Sequence, residues 1–131
     1  MSKIFIIDDD PDIVRLLKLA FESRQHTVGF AHNGTDGINM VENEKPDLIV
    51  LDIMMEKKDE GIHVARTLKS KQDIQHIPIL MLTGIKDELG FDFKKEAGDD
   101  SWLPVEAYID KSEDIDIIMS SAEKLITGKN P

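Results

Sequence analysis

The amino-acid sequence, 131 residues long, has no cysteine, a single tryptophan, a single tyrosine and no long uninterrupted apolar run. Without cysteine, neither a disulfide framework nor a thiolate metal site is possible, and a reducing compartment is the easiest setting. No segment approaches the ~18 apolar residues of a membrane helix, and the amino terminus lacks a signal-peptide pattern. We therefore expect a soluble, cytoplasmic protein with no membrane partner.

Positive charge is also scarce. The chain has 26 acidic residues against 16 lysines and arginines, which gives a formal net charge of −10. Such a charge repels nucleic acid phosphates and favours cations or basic partner surfaces, so we expect no binding to nucleic acid. The length fits one domain, and no linker, internal repeat or low-complexity segment marks another. We expect a single domain over residues 1–131, with no output domain.

Short apolar runs are the main feature of the pattern. Three of them are almost wholly apolar and are typical of strands buried on both faces of a parallel sheet: Ile4–Ile7, Leu48–Leu51 and Ile79–Leu82. Thr27–Ala31 and Ala107–Asp110 are predicted as two further strands. Segments with helical spacing of apolar residues lie between the strands. The alternation predicts the α/β class, as a doubly wound, five-stranded parallel sheet with helices on both faces.

Several polar residues have an ordinary structural interpretation. Asp10 precedes Pro11, and this pair predicts the N-cap and the first residue of a helix. Ser112 is predicted to cap the last helix, and Gly34–Val41 is predicted to be a short helix. The four histidines lie among polar neighbours and are expected at the surface: His26, His32, His63 and His76.

Other polar residues follow the predicted strands. Asp8 and Asp9 come after the first strand, Asp52 after the third, Thr83 after the fourth and Lys111 after the fifth. In open parallel sheets the ligand site lies at the carboxyl ends of the strands, so these side chains are expected to converge. Clustered carboxylates are costly unless a cation lies among them, and oxygen ligands with room for a phosphate suit Mg²⁺. Together with a lysine and a hydroxyl, they permit phosphoryl transfer to an aspartate.

With these residues in place, the sequence resembles the receiver domain of two-component response regulators, of the stand-alone, chemotaxis-regulator-like kind. Besides the acidic pair after the first strand, the matching motifs are Asp52 in "LIVLDIMM", Thr83 in "ILMLTG" and Lys111 in "AYIDK". The resemblance implies a flavodoxin-like sheet with strand order 2-1-3-4-5. It also implies that Asp52 accepts a phosphoryl group from a sensor histidine kinase or a histidine phosphotransfer protein.

The resemblance further implies a metal site. Asp9, Asp52 and the backbone carbonyl of Met54 would hold Mg²⁺, with Asp8 acting through water. Such a domain is not an enzyme in the ordinary sense, since it takes part only in its own phosphorylation and dephosphorylation.

A switch is implied as well. Thr83 and Lys111 would contact the phosphoryl group, and Thr83 with the aromatic Tyr108 would reshape a face read by a separate output protein or by self-association. Met54 and Ile85 match the positions that overlook the water attacking the phosphoryl group. Because neither side chain binds water well, we expect slow self-dephosphorylation.

The sequence departs from the family pattern at several places, among them a longer stretch before Gly61, a longer stretch between Thr83 and Lys111, and two single residues near the site. Glu56 stands where the family usually has proline after the phosphorylated aspartate, and Ser112 replaces the proline that usually follows the lysine. A cis bond before a residue other than proline costs about 2.5 to 4 kcal/mol, so the family's cis peptide after Lys111 is expected to be absent.

Two alternatives remain open. "IFIIDDDP" also resembles the first motif of haloacid-dehalogenase-like phosphatases, with Asp8 as nucleophile, Asp10 as acid/base and Lys111 as the lysine. That alternative leaves Asp52 without a role, and 131 residues is short for such an enzyme. The other alternative is a receiver-like adaptor that acts without phosphorylation.

Overall fold

The computed structural model describes residues 2–53, 60–83 and 105–128. Five parallel strands form one sheet in the order β2-β1-β3-β4-β5. The strands are β1 (Lys3–Ile7), β2 (Thr27–Ala31), β3 (Leu48–Asp52), β4 (Ile79–Thr83) and β5 (Ala107–Asp110). The helices within the described residues are α1 (Pro11–Ser23), α2 (Gly34–Glu44), α3 (Glu60–Lys69) and α4 (Ile115–Gly128). The predicted fold class and strand order are confirmed.

Helices cover both faces of the sheet, which explains why its central strands carry almost no polar residue. On one face, Phe5 and Leu51 pack in a core with residues of α2 and α3. On the other face, Ile6 and Val50 pack in a second core with residues of α1 and α4. Burying one such side chain contributes about 1.5 to 3 kcal/mol, so burial on both faces stabilises the central strands. None of the described helices combines the length and apolar character needed to cross a membrane.

The start of α1 was predicted correctly, and the start of α4 was predicted wrongly. Asp10 is the N-cap of α1, where its side chain accepts a hydrogen bond of 2.9 Å from the amide of Asp12. Ser112 does not cap α4, which begins only at Ile115. Its hydroxyl donates instead to Asp110 Oδ1 at 2.8 Å, so Ser112 belongs to the turn before the helix.

One histidine prediction is also wrong. His32, His63 and His76 are exposed, as expected, whereas the His26 side chain is only 9% exposed. The His26 Nδ1 atom accepts a hydrogen bond of 3.2 Å from the amide of Ser2, so Nε2 carries the proton that faces Glu123 Oε2 at 3.1 Å. The turn before β2 places this ring between the start of the sheet and α4.

Candidate functional site

Three aspartates meet where β1 and β3 end. Each of Asp8, Asp9 and Asp52 offers a carboxylate oxygen, and these oxygens lie within 4.8 Å of one another. Asp8 and Asp52 are buried, with exposed fractions of 1% and 2%, whereas Asp9 is exposed. The strand register brings them together, because Ile7 at the end of β1 pairs with Leu51, the residue before Asp52.

Asp8 is held on several sides. Its amide donates to the carbonyl of Ala31 at 3.1 Å, and its carbonyl accepts from Nδ1 of His32 at 3.1 Å. Its Oδ1 atom accepts a hydrogen bond of 2.9 Å from the amide of Asp10. The chain after β2 therefore fixes the backbone of Asp8, and the start of α1 fixes its carboxylate.

Lys111 reaches the two buried carboxylates. Its Nζ atom lies 3.1 Å from Asp52 Oδ1 and 3.5 Å from Asp8 Oδ2. Its amide donates to the carbonyl of Thr83 at 2.7 Å, which continues the pairing of β5 with β4. The described residues contain no cis peptide bond, so the bond between Lys111 and Ser112 is trans, as predicted. The lysine is thus aimed at the site without the proline that usually follows it in the family.

Burial and charge shift the ionisation of this cluster. Burial raises the pKa of Asp8, and it outweighs the opposing effects of the Asp10 amide and the Lys111 ammonium. Burial alone would lower the pKa of Lys111, but the negative charges of Asp8 and Asp52 outweigh it, so this pKa is raised. One half-buried ammonium thus faces two buried carboxylates, and with all three groups charged the site keeps a net negative charge.

Thr83 and Tyr108 lie on neighbouring strands. Thr83 ends β4, is 5% exposed and pairs in register with Asp110. Tyr108 lies in β5, where it pairs with Met81 of β4. It is half-buried and packs against the core beneath α2 and α3. The remaining residues that the sequence singled out lie outside the described residues: Met54, Glu56 and Ile85.

The described residues fit a hard cation. Asp8 Oδ2 is buried and accepts no hydrogen bond from the residues that the structure describes, with the Lys111 ammonium 3.5 Å away. A carboxylate oxygen in that position is costly without further positive charge. The donor set consists of carboxylate oxygens, which Mg²⁺ prefers over softer ligands. Receiver domains bind Mg²⁺ at an acidic pocket of this kind.

Sequence reasoning missed two residues at the start of α3. The Gly61 amide donates to the carbonyl of Ile53 at 3.0 Å, and a Cβ atom at Gly61 would overlap the carbonyl oxygen of Asp52. The Glu60 Oε2 atom accepts a hydrogen bond of 3.0 Å from the amide of Gly34, the first residue of α2. A glycine directly before the helical spacing of Ile62, Ala65 and Leu68 was the available signal, because glycine is unfavourable in a helix unless another group needs the space.

The phosphatase alternative is not favoured. It requires Asp10 to act as an acid or base beside Asp8, but the Asp10 side chain caps α1 at the surface. Among the described residues, the carboxylate that joins Asp8 and Asp9 is that of Asp52, which the phosphatase alternative leaves without a role.

Comparison with known sequences gives a consistent result. The family model described as the response regulator receiver domain matches residues 4–123. The chain is 39% identical over 102 residues to the alkaline phosphatase synthesis transcriptional regulatory protein PhoP of Bacillus subtilis, a match over 78% of this chain and 41% of that protein. It is 36% identical over 104 residues to the transcriptional regulatory protein CpxR of Escherichia coli K12, over 79% of this chain and 43% of that protein. The chain therefore spans less than half the length of these relatives.

Solved structures agree with the sequence comparison. The receiver domain of Francisella response regulator 1452 superposes with a TM-score of 0.82 at 25% identity, over 99% of this chain and all of that one. The signal receiver domain of a signal transduction histidine kinase from Syntrophus aciditrophicus has the same fold, with a TM-score of 0.81 at 24% identity over 98% of this chain and 92% of that one. Receiver domains are signalling modules that interact with sensor histidine kinases. The chain belongs to the receiver domain family of two-component response regulators.

Proposed function

We propose that Asp52 is the phosphoacceptor of this receiver domain. The observation that carries the proposal is the position of Lys111, whose Nζ atom lies 3.1 Å from Asp52 Oδ1 inside the carboxylate cluster. A buried carboxylate beside one compact positive charge, at the carboxyl edge of a parallel sheet, is suited to receive a phosphoryl group.

The reaction transfers a phosphoryl group from a phosphohistidine of a sensor histidine kinase or a histidine phosphotransfer protein. A carboxylate oxygen of Asp52 attacks phosphorus, an O–P bond forms, and the P–N bond of the donor breaks with its electron pair returning to the imidazole. The Lys111 ammonium pairs with the phosphoryl oxygens, and the Thr83 hydroxyl donates a hydrogen bond to them. Both groups come from the carboxyl ends of strands on the same side of β3, since β4 pairs with β3 and β5 pairs with β4.

The acidic residues would also hold Mg²⁺. Asp9 and Asp52 are the proposed direct ligands, together with the backbone carbonyl of Met54, and Asp8 would act through water. The ion, when bound, neutralises charge that develops on the phosphoryl oxygens. The exposure of Asp9 is consistent with its role as a direct ligand. An exposed carboxylate at the mouth of the site is hydrated in the absence of the ion, and the ion can take the place of that water.

We also infer that phosphorylation is read through Thr83 and Tyr108. A shift of the Thr83 hydroxyl toward the phosphoryl group changes the space next to β5, where Tyr108 is half-buried. The face that changes would be read by a separate output protein or by self-association in the cytoplasm. The net charge of −10 supports a partner with a basic surface rather than nucleic acid.

The chain would catalyse no turnover other than slow loss of its own phosphoryl group. Met54 and Ile85 are the residues two positions after Asp52 and Thr83. A methionine or isoleucine side chain cannot form a hydrogen bond that would place an attacking water, so the phosphoryl group should persist for minutes or longer. Replacing both with polar residues, Met54→Asn and Ile85→Gln, should shorten its lifetime.

Intact-mass analysis after incubation with a small phosphodonor and Mg²⁺ tests the phosphoacceptor. The parent protein should gain one phosphoryl group, and Asp52→Asn should gain none. Asp73→Asn is the matched control, because Asp73 is an exposed aspartate outside the cluster. Modification at Asp8 would support the phosphatase alternative, and no modification in a folded parent protein would support the adaptor.

A further inference from the structure

The turn between β5 and α4 has its own hydrogen-bond network. Asp110 Oδ1 accepts hydrogen bonds from both the amide and the hydroxyl of Ser112, each 2.8 Å long. The carbonyl of Asp110 accepts a further hydrogen bond of 3.0 Å from the amide of Glu113. Lys111 is the residue enclosed by these three contacts.

We propose that Asp110 and Ser112 are positioning residues, and that the turn they close aims the Lys111 ammonium at Asp8 and Asp52. The consequence for phosphoryl transfer rests on the proposed function above. The positioning itself does not, because it concerns contacts within this chain.

Lys111 needs such a support because its side chain does not fix its own direction. Lysine carries a compact charge on a flexible stem of four carbons, unlike the rigid planar group of arginine. The direction of the stem is therefore set by the backbone. On the amino side, the bond from the Lys111 amide to the Thr83 carbonyl, 2.7 Å long, anchors that backbone to β4. On the carboxyl side, hydrogen bonds from the amides of Ser112 and Glu113 to Asp110 hold the backbone of the turn.

The residue types suit this role. An aspartate side chain that accepts from the amide two residues later closes an Asx turn, which imitates a backbone turn. The Ser112 hydroxyl adds a second donor to the same oxygen, which strengthens the closure. Ser112 has an amide hydrogen that it donates to Asp110, which a proline at that position would lack.

The position of the Lys111 ammonium, at the end of the side chain, is consistent with this geometry. Lys111 is a quarter exposed, yet its ammonium lies within 3.5 Å of both buried carboxylates rather than extending into solvent. Water would screen most of the attraction between a mobile ammonium and exposed carboxylates. The carboxylates of Asp8 and Asp52 are buried, so their attraction for the ammonium is screened less once the backbone directs the side chain toward them.

Reductive methylation of the metal-free protein, read by peptide mass spectrometry, tests the positioning. Asp110→Ala should raise the labelling rate of Lys111 more than fivefold, because it removes two hydrogen bonds and the loss of one net hydrogen bond corresponds to about a fivefold change. Asp110→Asn should restore the parent rate, because its amide oxygen can still accept from Ser112. Ser112→Ala, which keeps the amide donor, should lie between the two.

Two controls keep the result specific. Lys69, which is 15% exposed and donates to the carbonyls of Gln75 and Ile77, serves as an internal reference for general unfolding. Asp36→Ala removes an exposed aspartate hydrogen bond at another turn, that from Asn33, and should leave Lys111 labelling unchanged. If the ratio of Lys111 to Lys69 labelling is the same in Asp110→Ala as in the parent, the proposal is wrong.

A double-mutant cycle extends the test to phosphorylation. Asp110→Ala should slow labelling of Asp52 by a phosphodonor in the parent background and have no further effect in Lys111→Ala, because the two changes act through one group. Additive effects would overturn positioning through Lys111. If Asp52 is never phosphorylated, the proposed function fails, and the methylation result still decides this inference.

Discussion

Gly61 leaves space for the backbone of Asp52. A Cβ atom at position 61 would overlap both the carbonyl oxygen of Asp52 and the Cα of Ile53. The same glycine donates its amide hydrogen to the carbonyl of Ile53 at 3.0 Å, which satisfies one of the free N–H groups at the start of α3. The start of α3 therefore lies directly on the backbone that carries the proposed phosphoacceptor.

Gly61→Ala should destabilise the fold and displace Asp52. The methyl group meets backbone atoms, which cannot rotate away, so we expect a loss of about 1 to 3 kcal/mol in the free energy of unfolding. Urea denaturation with and without Mg²⁺ measures both effects, because a displaced Asp52 should also weaken stabilisation by the ion.

Gly29→Ala is the matched control for that change. A Cβ at Gly29 would meet the side chain of Phe5 at 2.9 Å rather than backbone, in the middle of β2 and away from the carboxyl ends of the strands. It should leave the response to Mg²⁺ intact whatever it does to stability. An unchanged response to Mg²⁺ in Gly61→Ala would show that α3 does not position Asp52.

Asp8→Asn should stabilise the metal-free protein at neutral pH. Burial raises the pKa of Asp8 in the folded state, so the folded protein holds this proton more tightly than the unfolded chain. The free energy of unfolding then falls as the pH rises from the pKa of Asp8 in the unfolded chain to its pKa in the folded protein. Above the folded pKa, the full cost of burying the charged carboxylate applies. Removing the charge removes the cost of burying the ionised carboxylate, so Asp8→Asn should gain on the order of 1 kcal/mol.

Denaturation of Asp8→Asn and of the parent protein at several pH values tests whether the variant is the more stable of the two. The stability difference should be largest at neutral pH and vanish at acid pH, where Asp8 is protonated in both states. Lys111 still has Asp52 at 3.1 Å in the variant, so it keeps a negative partner. A variant less stable than the parent at neutral pH would mean that the pair with Lys111 outweighs burial.

Mg²⁺ should raise the melting temperature, and Asp9→Ala should remove that response. An ion that binds only the folded state at 100 times its dissociation constant adds about 2.7 kcal/mol of stability. Asp12→Ala is the control, because Asp12 is an exposed acid in the first turn of α1 and outside the cluster. A response that survives Asp9→Ala would place the ion elsewhere.

Two properties of the sequence made the fold predictable. The residues of β1, β3 and β4 are buried on both faces, so their apolar runs mark the strands without any need for alternation. The alternation of strands and helices then predicts the α/β fold class. Because ligand sites of open parallel sheets lie at the carboxyl ends of the strands, Asp52 and Lys111 are predicted to meet although they are far apart in the sequence. The end of β3 was placed one residue short, because Asp52 is polar and buried at once.

One miss depends on a contact within a turn, and the others depend on contacts between separate segments. Ser112 looks like a helix cap in its local sequence, but its hydroxyl is taken by Asp110. His26 has polar neighbours in the sequence, yet its partner Glu123 is 97 residues away. The approach of Gly61 to Asp52 depends on how α3 docks, which no local pattern of apolar residues records.

Glu123→Gln should lower stability at neutral pH and leave it unchanged in acid. The hydrogen bond from His26 and the contacts with Arg24 outweigh partial burial and hold the pKa of Glu123 below its usual value. An acid with a depressed pKa contributes stability that is present above its unfolded pKa and lost as the pH falls through the folded one. Because Glu123 is 35% exposed, we expect a loss of only about 0.2 to 1 kcal/mol at neutral pH.

Thermal or urea denaturation of Glu123→Gln beside Glu22→Gln measures this contribution. Glu22 faces Lys18 at 3.5 Å on one helix, whereas Glu123 ties α4 to the turn before β2 through Arg24 at 2.7 Å. The difference between parent and Glu123→Gln should shrink as the pH falls below the usual range of a glutamate, and Glu22→Gln should show a smaller effect throughout. Equal losses in the two variants would mean that the contact between α4 and the turn contributes no more than an ordinary surface pair.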